Sequence, residues 1–210
     1  MPRVPAKERR RQFIDATVRV IAEHGVKAAT TRRIAEAADA PLASLHYCFH
    51  TKEELFLAVF EEMADAIVQN VLNSEASTKS LADSAPEHLR EAVDWMTENR
   101  NFGRAQNELA NWATRHDPAM AAQAYDLSFE AARRSFLRAA DADRYSAAAV
   151  DSAVQLSILL LDGLLMSWCA YDDRDRLEGA IGTACDALRT FCDRLTTTDL
   201  DALTTSTAVN

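Results

Sequence analysis

Six side chains crowded between positions 32 and 47 have the chemistry to read a nucleic-acid duplex. Arg32 carries a planar guanidinium that matches the paired acceptors on the edge of guanine. Leu42 and Ala43 offer apolar surface for thymine methyls, and Ser44 and His46 offer polar atoms for base edges or phosphate. Tyr47 joins Arg32 as a leading contact residue. None of these positions in the second half of the stretch is acidic, so none would repel phosphate.

Such side chains are useful only if short rigid elements hold them out, and the surrounding residues specify two. Ile34, Ala35 and Ala38 give a short helix one small apolar face, with Thr30 placed to cap it. Asp39 falls where the helix must stop, in a turn that needs a residue tolerant of the left-handed region. Pro41 then stands where a second helix would have its first residue, since its missing N–H costs nothing there. That helix runs to about Cys48, with Leu45 and Phe49 inward. Thr51 and Glu54 make a capping box that opens a long helix with Leu55, Phe56, Val59, Phe60 and Met63 on one face. Helix, turn, helix is the arrangement that lays a short helix in the major groove. It also occurs in helical proteins that never meet DNA.

Charge distribution favours the DNA reading. Residues 1–33 hold nine Lys/Arg against three acids, although the whole chain is at −9. The Arg9-Arg10-Arg11 run would add attraction that is indifferent to sequence. Residues 57–210 hold 13 Lys/Arg against 25 acids and should not touch DNA.

The stretch from about Arg10 to Phe60 resembles the N-terminal domain of the TetR family of transcriptional regulators. The likeness rests on Phe13-Ile14-x-Ala16, Gly25, Thr30-Thr31-Arg32-x-Ile34-Ala35, Ala38 and Leu45-His46-Tyr47-x-Phe49-x-Thr51-Lys52-x-x-Leu55. Asp39, Pro41, His46 and His50 depart from common choices at their positions. The resemblance implies that Thr31, Tyr47 and Lys52 contact the phosphate backbone. It further implies a C-terminal part that forms a homodimer and encloses a small-molecule pocket, with release of DNA when the effector binds.

Composition agrees with an all-α chain. Hydrophobic residues make up 48%, with only five Gly and five Pro, and no segment alternates with period two. The expected layout is a three-helix DNA-binding domain at 1–56 and a larger helical ligand-binding and dimerisation domain at 57–196. A fourth helix, about 52–73, links them, and 197–210 form a polar tail. Residues 73–86 read as a break, with Pro86 opening the next helix. Further helices are expected at about 102–114, from Asp117-Pro118 to about Ala140, from Ser146 to about Tyr171, and from about Arg174 to Leu195.

The last two helices invite dimerisation. Leu177, Ile181, Cys185, Leu188, Cys192 and Leu195 recur in a near-heptad stripe. With Leu160, Leu164 and Trp168 they would build a four-helix bundle from two chains. Gly163, Gly179 and Gly182 would allow close approach, and a plain intramolecular core is the alternative. Trp95, Met96, Trp112, Tyr125, Phe129, Asp162 and Met166 are the pocket candidates, against the reading of ordinary core. Asp162 stands alone in an apolar run and calls for either a structural partner or a ligand. Gln155, Ser157, Asp162 and Ser167 interrupt residues 153–170, which therefore read as a buried helix and not a membrane span.

Catalysis has no foothold in the sequence. Cys48, Cys169, Cys185 and Cys192 form no CxxC pair and have no His at metal-ligand spacing, so neither metal nor cofactor is expected. The start of the chain has no apolar signal region, so a cytoplasmic location is expected. The functional expectation is a repressor that binds a palindromic operator as a homodimer and answers to a small molecule. An activator of the same fold, or a helical interaction module that has lost DNA binding, are the rivals.

Overall fold

The computed structural model describes residues 5–72 and 78–195. Those residues form nine α-helices and no strand. In chain order they are α1 (Ala6–His24), α2 (Thr31–Ala37), α3 (Leu42–Cys48), α4 (Lys52–Leu72), α5 (Leu81–Glu98), α6 (Arg100–His116), α7 (Pro118–Phe136), α8 (Ala147–Tyr171) and α9 (Arg174–Arg194). The all-helical expectation holds. Arg3, most of the expected 73–86 break's first half and the C-terminal tail lie outside the described residues.

Packing divides the chain into two units, residues 1–65 with 96–127 and residues 66–95 with 128–210. Within the first unit α6 packs along α1. In the first unit Phe13, Ile21, Ile34, Leu45, Phe49, Leu55, Phe56 and Leu109 are fully buried. Gly25 ends α1 with φ +76°, its N–H donating to the Ile21 carbonyl at 2.8 Å. That conformation is strained for any side chain, which is why Gly stands there.

The second unit is built on α8 and α9 with the first four turns of α5 and the end of α7. Leu81, Leu89, Val93, Phe136, Val150, Val154, Leu177, Ile181 and Leu188 form one continuous core. Across α5 and α9, Asp83 pairs with Arg189, Arg90 with Glu178 at 3.0 Å and Asp94 with Arg174 at 3.1 Å. Exposed pairs of this kind add little stability each, and they record that the two helices run antiparallel.

Two expectations are corrected here. Pro86 does not open α5 but lies inside it. The helix starts five residues earlier because Ser80 caps it, its hydroxyl accepting from the Asp83 N–H at 3.2 Å. Asp141 also accepts the Leu81 N–H at 2.7 Å. One helical hydrogen bond is lost at Pro86, and burial of Leu81, Ala82 and Ala85 offsets it. Second, α8 is not buried all round. Its length and apolar composition would suit a membrane crossing, yet one face is buried in the core at Val150, Val154 and Leu165 while Leu159 and Met166 are exposed.

Candidate nucleic-acid interface

Residues 30–52 fold as their local signals require. The Thr30 hydroxyl accepts the Arg33 N–H at 3.2 Å and so caps α2. At the other end the Asp39 N–H donates to the Glu36 carbonyl and the Ala40 N–H to the Ala35 carbonyl, at 3.1 and 3.0 Å. These two bonds are a Schellman closure, and it needs a left-handed residue. Asp39 supplies it with φ +47°. Pro41 falls one position earlier than expected, at the N-cap of α3 with ψ 138°. Its carbonyl accepts the Ser44 N–H at 2.9 Å, starting the helix with a tight turn. Beyond α3, the Thr51 hydroxyl accepts the Glu54 N–H at 3.0 Å. Glu54 reaches back one residue further than a standard capping box, accepting the His50 N–H at 2.8 Å.

The faces of α3 divide cleanly. Leu45 and Phe49 are buried in the first unit's core. Leu42, Ala43, His46 and Tyr47 are exposed, Tyr47 at 77%, and Ser44 is half-buried. Leu42, Ala43, Ser44 and His46 are the positions expected to meet base edges, and Tyr47 is expected on the phosphate backbone. Arg32 is exposed on α2 and pairs with Glu36 at 3.3 Å, one turn on. Such an exposed i,i+4 pair is worth only about 0.3–0.5 kcal/mol, so a guanine edge can take Arg32 from it. Thr31 is the first residue of α2 and half-exposed. Lys52 is half-buried, with its ammonium 4.8 Å from the Phe56 ring and 5.9 Å from that of Trp112. Burial lowers its pKa, with Glu53 opposing.

The N-terminal arginines have a role that the sequence reading did not find. Arg19 donates to the Ala37 carbonyl at 2.8 Å, holding the last turn of α2. Arg10 donates to the Cys48 carbonyl at 3.2 Å, holding the last turn of α3. Its guanidinium lies 4.3 Å from the centre of the Phe49 ring and within 3.6 and 3.9 Å of Glu54 and Glu61. Arg11 pairs with Glu62 at 3.6 Å. So Arg10 is not a diffuse attractor of DNA, as expected from the run of three, but a clamp on the helix that would read it. Both arginines sit at helix C-termini, where cations are favoured. Two glutamates seven apart on α4 were the only hint of this in the sequence.

The expected pocket residues are not gathered by either unit. Met96, Trp112 and Tyr125 belong to the first unit, and Trp95, Phe129, Asp162 and Met166 to the second. Met96 is fully buried, and Trp112 stacks on His116 with ring centres 5.2 Å apart. Tyr125 and Met166 are exposed. Asp162 is exposed too, on the outer face of α8, so it is not the isolated buried carboxylate expected.

The expected dimer stripe is corrected as well. Leu177, Ile181 and Leu188 are consumed by the chain's own core, and the Cys185 thiol donates to the Pro86 carbonyl at 3.3 Å. Leu164 is buried beside them, while Leu160 and Trp168 are half-buried at the edge of the same core. The three glycines point the other way: a Cβ at Gly163, Gly179 or Gly182 would meet nothing within 4 Å. Among the described residues no cluster of His, Cys, Asp and Glu could hold a metal ion.

Residues 13–59 match the family described as bacterial regulatory proteins, tetR family. Over 200 residues the chain is 29% identical to the HTH-type nicotine-responsive transcriptional repressor HdnoR of Paenarthrobacter nicotinovorans, covering 92% of this chain and 98% of that one. Among solved structures, a TetR transcription regulator from Haloarcula marismortui shares the fold with a TM-score of 0.68 at 20% identity, over 90% of this chain and 99% of that one. The multidrug binding protein EbrR in complex with ethidium gives a TM-score of 0.64 at 24% identity, over 86% and 98%. The capped α2, the Asp39 turn, the exposed reading face of α3 and these likenesses together place residues 13–59 in the tetR family and support a TetR-family transcriptional regulator, a DNA-binding protein and not an enzyme.

Proposed function

We propose that this protein is a repressor that binds a palindromic operator as a homodimer and is released by a small-molecule effector. The observation that carries the reading is the exposed, acid-free face of α3, with Arg10 holding its last turn and Arg19 the last turn of α2. Arg32, Leu42, Ala43, Ser44 and His46 select sequence, while Thr31, Tyr47 and Lys52 grip phosphate. Residues 1–56 read the DNA, helix four links, and residues 57–196 dimerise and take the effector. The protein works in the cytoplasm, where its operator is.

Dimerisation is assigned to the open faces of α8 and α9, not to the internal stripe. Leu159, Gly163 and Met166 on α8, with Gly179 and Thr183 on α9, are exposed along one side of each helix. Leu160 and Trp168 border them. Small residues there let two helix pairs approach closely. A twofold dimer would set its two reading helices about 34–36 Å apart, one turn of DNA. The effector is assigned to nitrogen-containing aromatic compounds, because the long relative is nicotine-responsive and EbrR has been seen with ethidium.

Footprinting on the DNA upstream of the protein's own gene tests the reading. A protected palindrome, lost on adding nicotine or a related amine, is the expected result. Failure of the folded protein to protect any upstream fragment would leave the interaction-module reading in its place. Transcription that rises when the protein is added would make it an activator.

A further inference from the structure

Three side chains on one stripe of α5 carry buried polar atoms with no hydrogen-bond partner among the described residues. Ser84, His88 and Glu91 follow at i, i+4 and i+7, which aligns them on a single helix face. Trp95 continues the stripe one turn further. Ser84 is 1% exposed and His88 5%, and Glu91 is half-buried with its Oε2 shut off from solvent. Ser84 Oγ, both His88 ring nitrogens and Glu91 Oε2 have no hydrogen-bond partner among the described residues. Folded proteins leave few such atoms unpaired, and here four lie on one stripe of one helix. A fifth, Gln106 Oε1, is on α6 in the other unit.

Two cations near the stripe are hydrogen-bonded to other carboxylates. Lys79 bonds both carboxylate oxygens of Glu87 at 2.7 Å. Arg90 is turned to Glu178 on α9 at 3.0 Å. His88 lies against the Phe136 ring of α7, with ring centres 5.8 Å apart and planes at 41°. Burial pushes its imidazole down to about 4, with Glu87 opposing, so at neutral pH it offers one N–H and one lone pair. Burial and then the neighbouring Glu87 push the Glu91 carboxyl up, with Lys79 opposing. Phe129 and Phe136 on α7 lie in or against the same core cluster.

We propose that Ser84, His88 and Glu91, flanked by Phe136 and Trp95, are the polar half of a binding site for a protonated amine carried on a small aromatic or heterocyclic frame. This deepens the effector reading above and rests on it. The carboxylate takes the ammonium, and aromatic faces add attraction for a cation. The imidazole and hydroxyl then have both a donor and an acceptor to give a second ligand heteroatom. Carboxylic acids and phosphate esters are disfavoured, because Glu87 and Glu91 stand together.

The test uses the full-length protein, with nicotine and ethidium as amine ligands and decanoate as an anionic control. Titration calorimetry should show amine binding by the natural chain and none of decanoate. Glu91→Gln keeps the volume and should weaken amine binding at least tenfold. It should leave the melting temperature unchanged or raised and operator affinity without ligand unchanged. Ser84→Ala, which removes one hydroxyl, should weaken binding severalfold and serves if Glu91→Gln is poorly folded. Glu130→Gln, an exposed change on α7, should bind as the natural chain does. Amine binding that survives Glu91→Gln and Ser84→Ala overturns the site, even if the amine still releases the operator and so upholds an effector. Amine binding that is lost in Glu91→Gln but never releases the operator upholds the site and refutes the effector reading. No binding of either amine to the natural chain overturns the assignment.

Discussion

Replacing Arg10 by Met separates building the reading head from touching DNA. The methionine keeps most of the stem that packs beside Phe49 and removes the guanidinium. A hydrogen bond from a charged donor is worth about 1.5–3 kcal/mol, and the one to the Cys48 carbonyl at 3.2 Å is half-exposed, which puts it near the low end. The stacking on Phe49 at 4.3 Å adds about 0.5–1 kcal/mol. The pairs to Glu54 and Glu61, at 3.6 and 3.9 Å and partly exposed, add little. About 2 kcal/mol is therefore expected, seen as a fall of roughly 4–8 °C in melting temperature for a chain of this size. With its last turn released, α3 spends part of its time out of register, and each 1.4 kcal/mol of that loosening costs about tenfold in operator affinity. The slope of log affinity against log salt should stay where it was, because no phosphate contact is removed. Were Arg10 instead a phosphate ligand, the slope would drop by about 0.9 for each copy in the complex. An unchanged melting temperature with a shallower salt slope refutes the clamp.

The other expectations are smaller. Asp39→Gly should stabilise the protein by about 0.5 kcal/mol, since φ +47° suits Gly better, while Asp39→Val should cost about 1–2 kcal/mol; chemical denaturation of both decides it. Gly179→Leu should keep the helical signal and melting behaviour of the chain, because a Cβ there meets nothing within 4 Å, yet shift sedimentation towards monomer. Dimers that survive it would move the interface off this face. His88 titrates at about 4 when folded and near 6.5 when unfolded, so the unfolded chain binds more protons between those values. Stability should thus fall by about 3 kcal/mol from pH 6.5 down to about pH 4, and His88→Phe should flatten that part of the profile.

What the sequence revealed was what local rules control. The ends of α2, the Asp39 turn and the start of α4 each depend on a cap or a left-handed residue within four positions, and all were readable. Pro86 misled because a proline marks a helix start only when nothing earlier nucleates one. Ser80 lies near it in the chain, but Asp141, which holds the Leu81 N–H, is 60 residues away. The stripe through Leu177, Ile181, Cys185 and Leu188 was correctly seen as a packed face, but periodicity does not say which chain packs on it. In α8, apolar residues on every side implied burial all round, while the structure keeps one side for itself and leaves Leu159, Asp162 and Met166 outside. The unpaired state of Ser84, His88 and Glu91 depends on what other helices set opposite them, as Phe136 of α7 is set against His88, and no spacing within α5 carries that.

Charge misled in a way that bears on function. A run of arginines ahead of a helix-turn-helix reads as a patch for phosphate, and counting charges treats its members alike. Arg10 and Arg19 reach carbonyls 38 and 18 residues along the chain, at the last turns of α3 and α2. Arg11 is matched by Glu62. Lys7, Lys27 and Arg33 remain exposed for long-range attraction. The positive charge of residues 1–33 is thus divided between residues that hold the two helices of the motif and residues that face solvent. The division matters because the two groups fail differently. Loss of a holder lowers stability and affinity together at constant salt slope, whereas loss of an exposed cation changes the slope and leaves the fold alone.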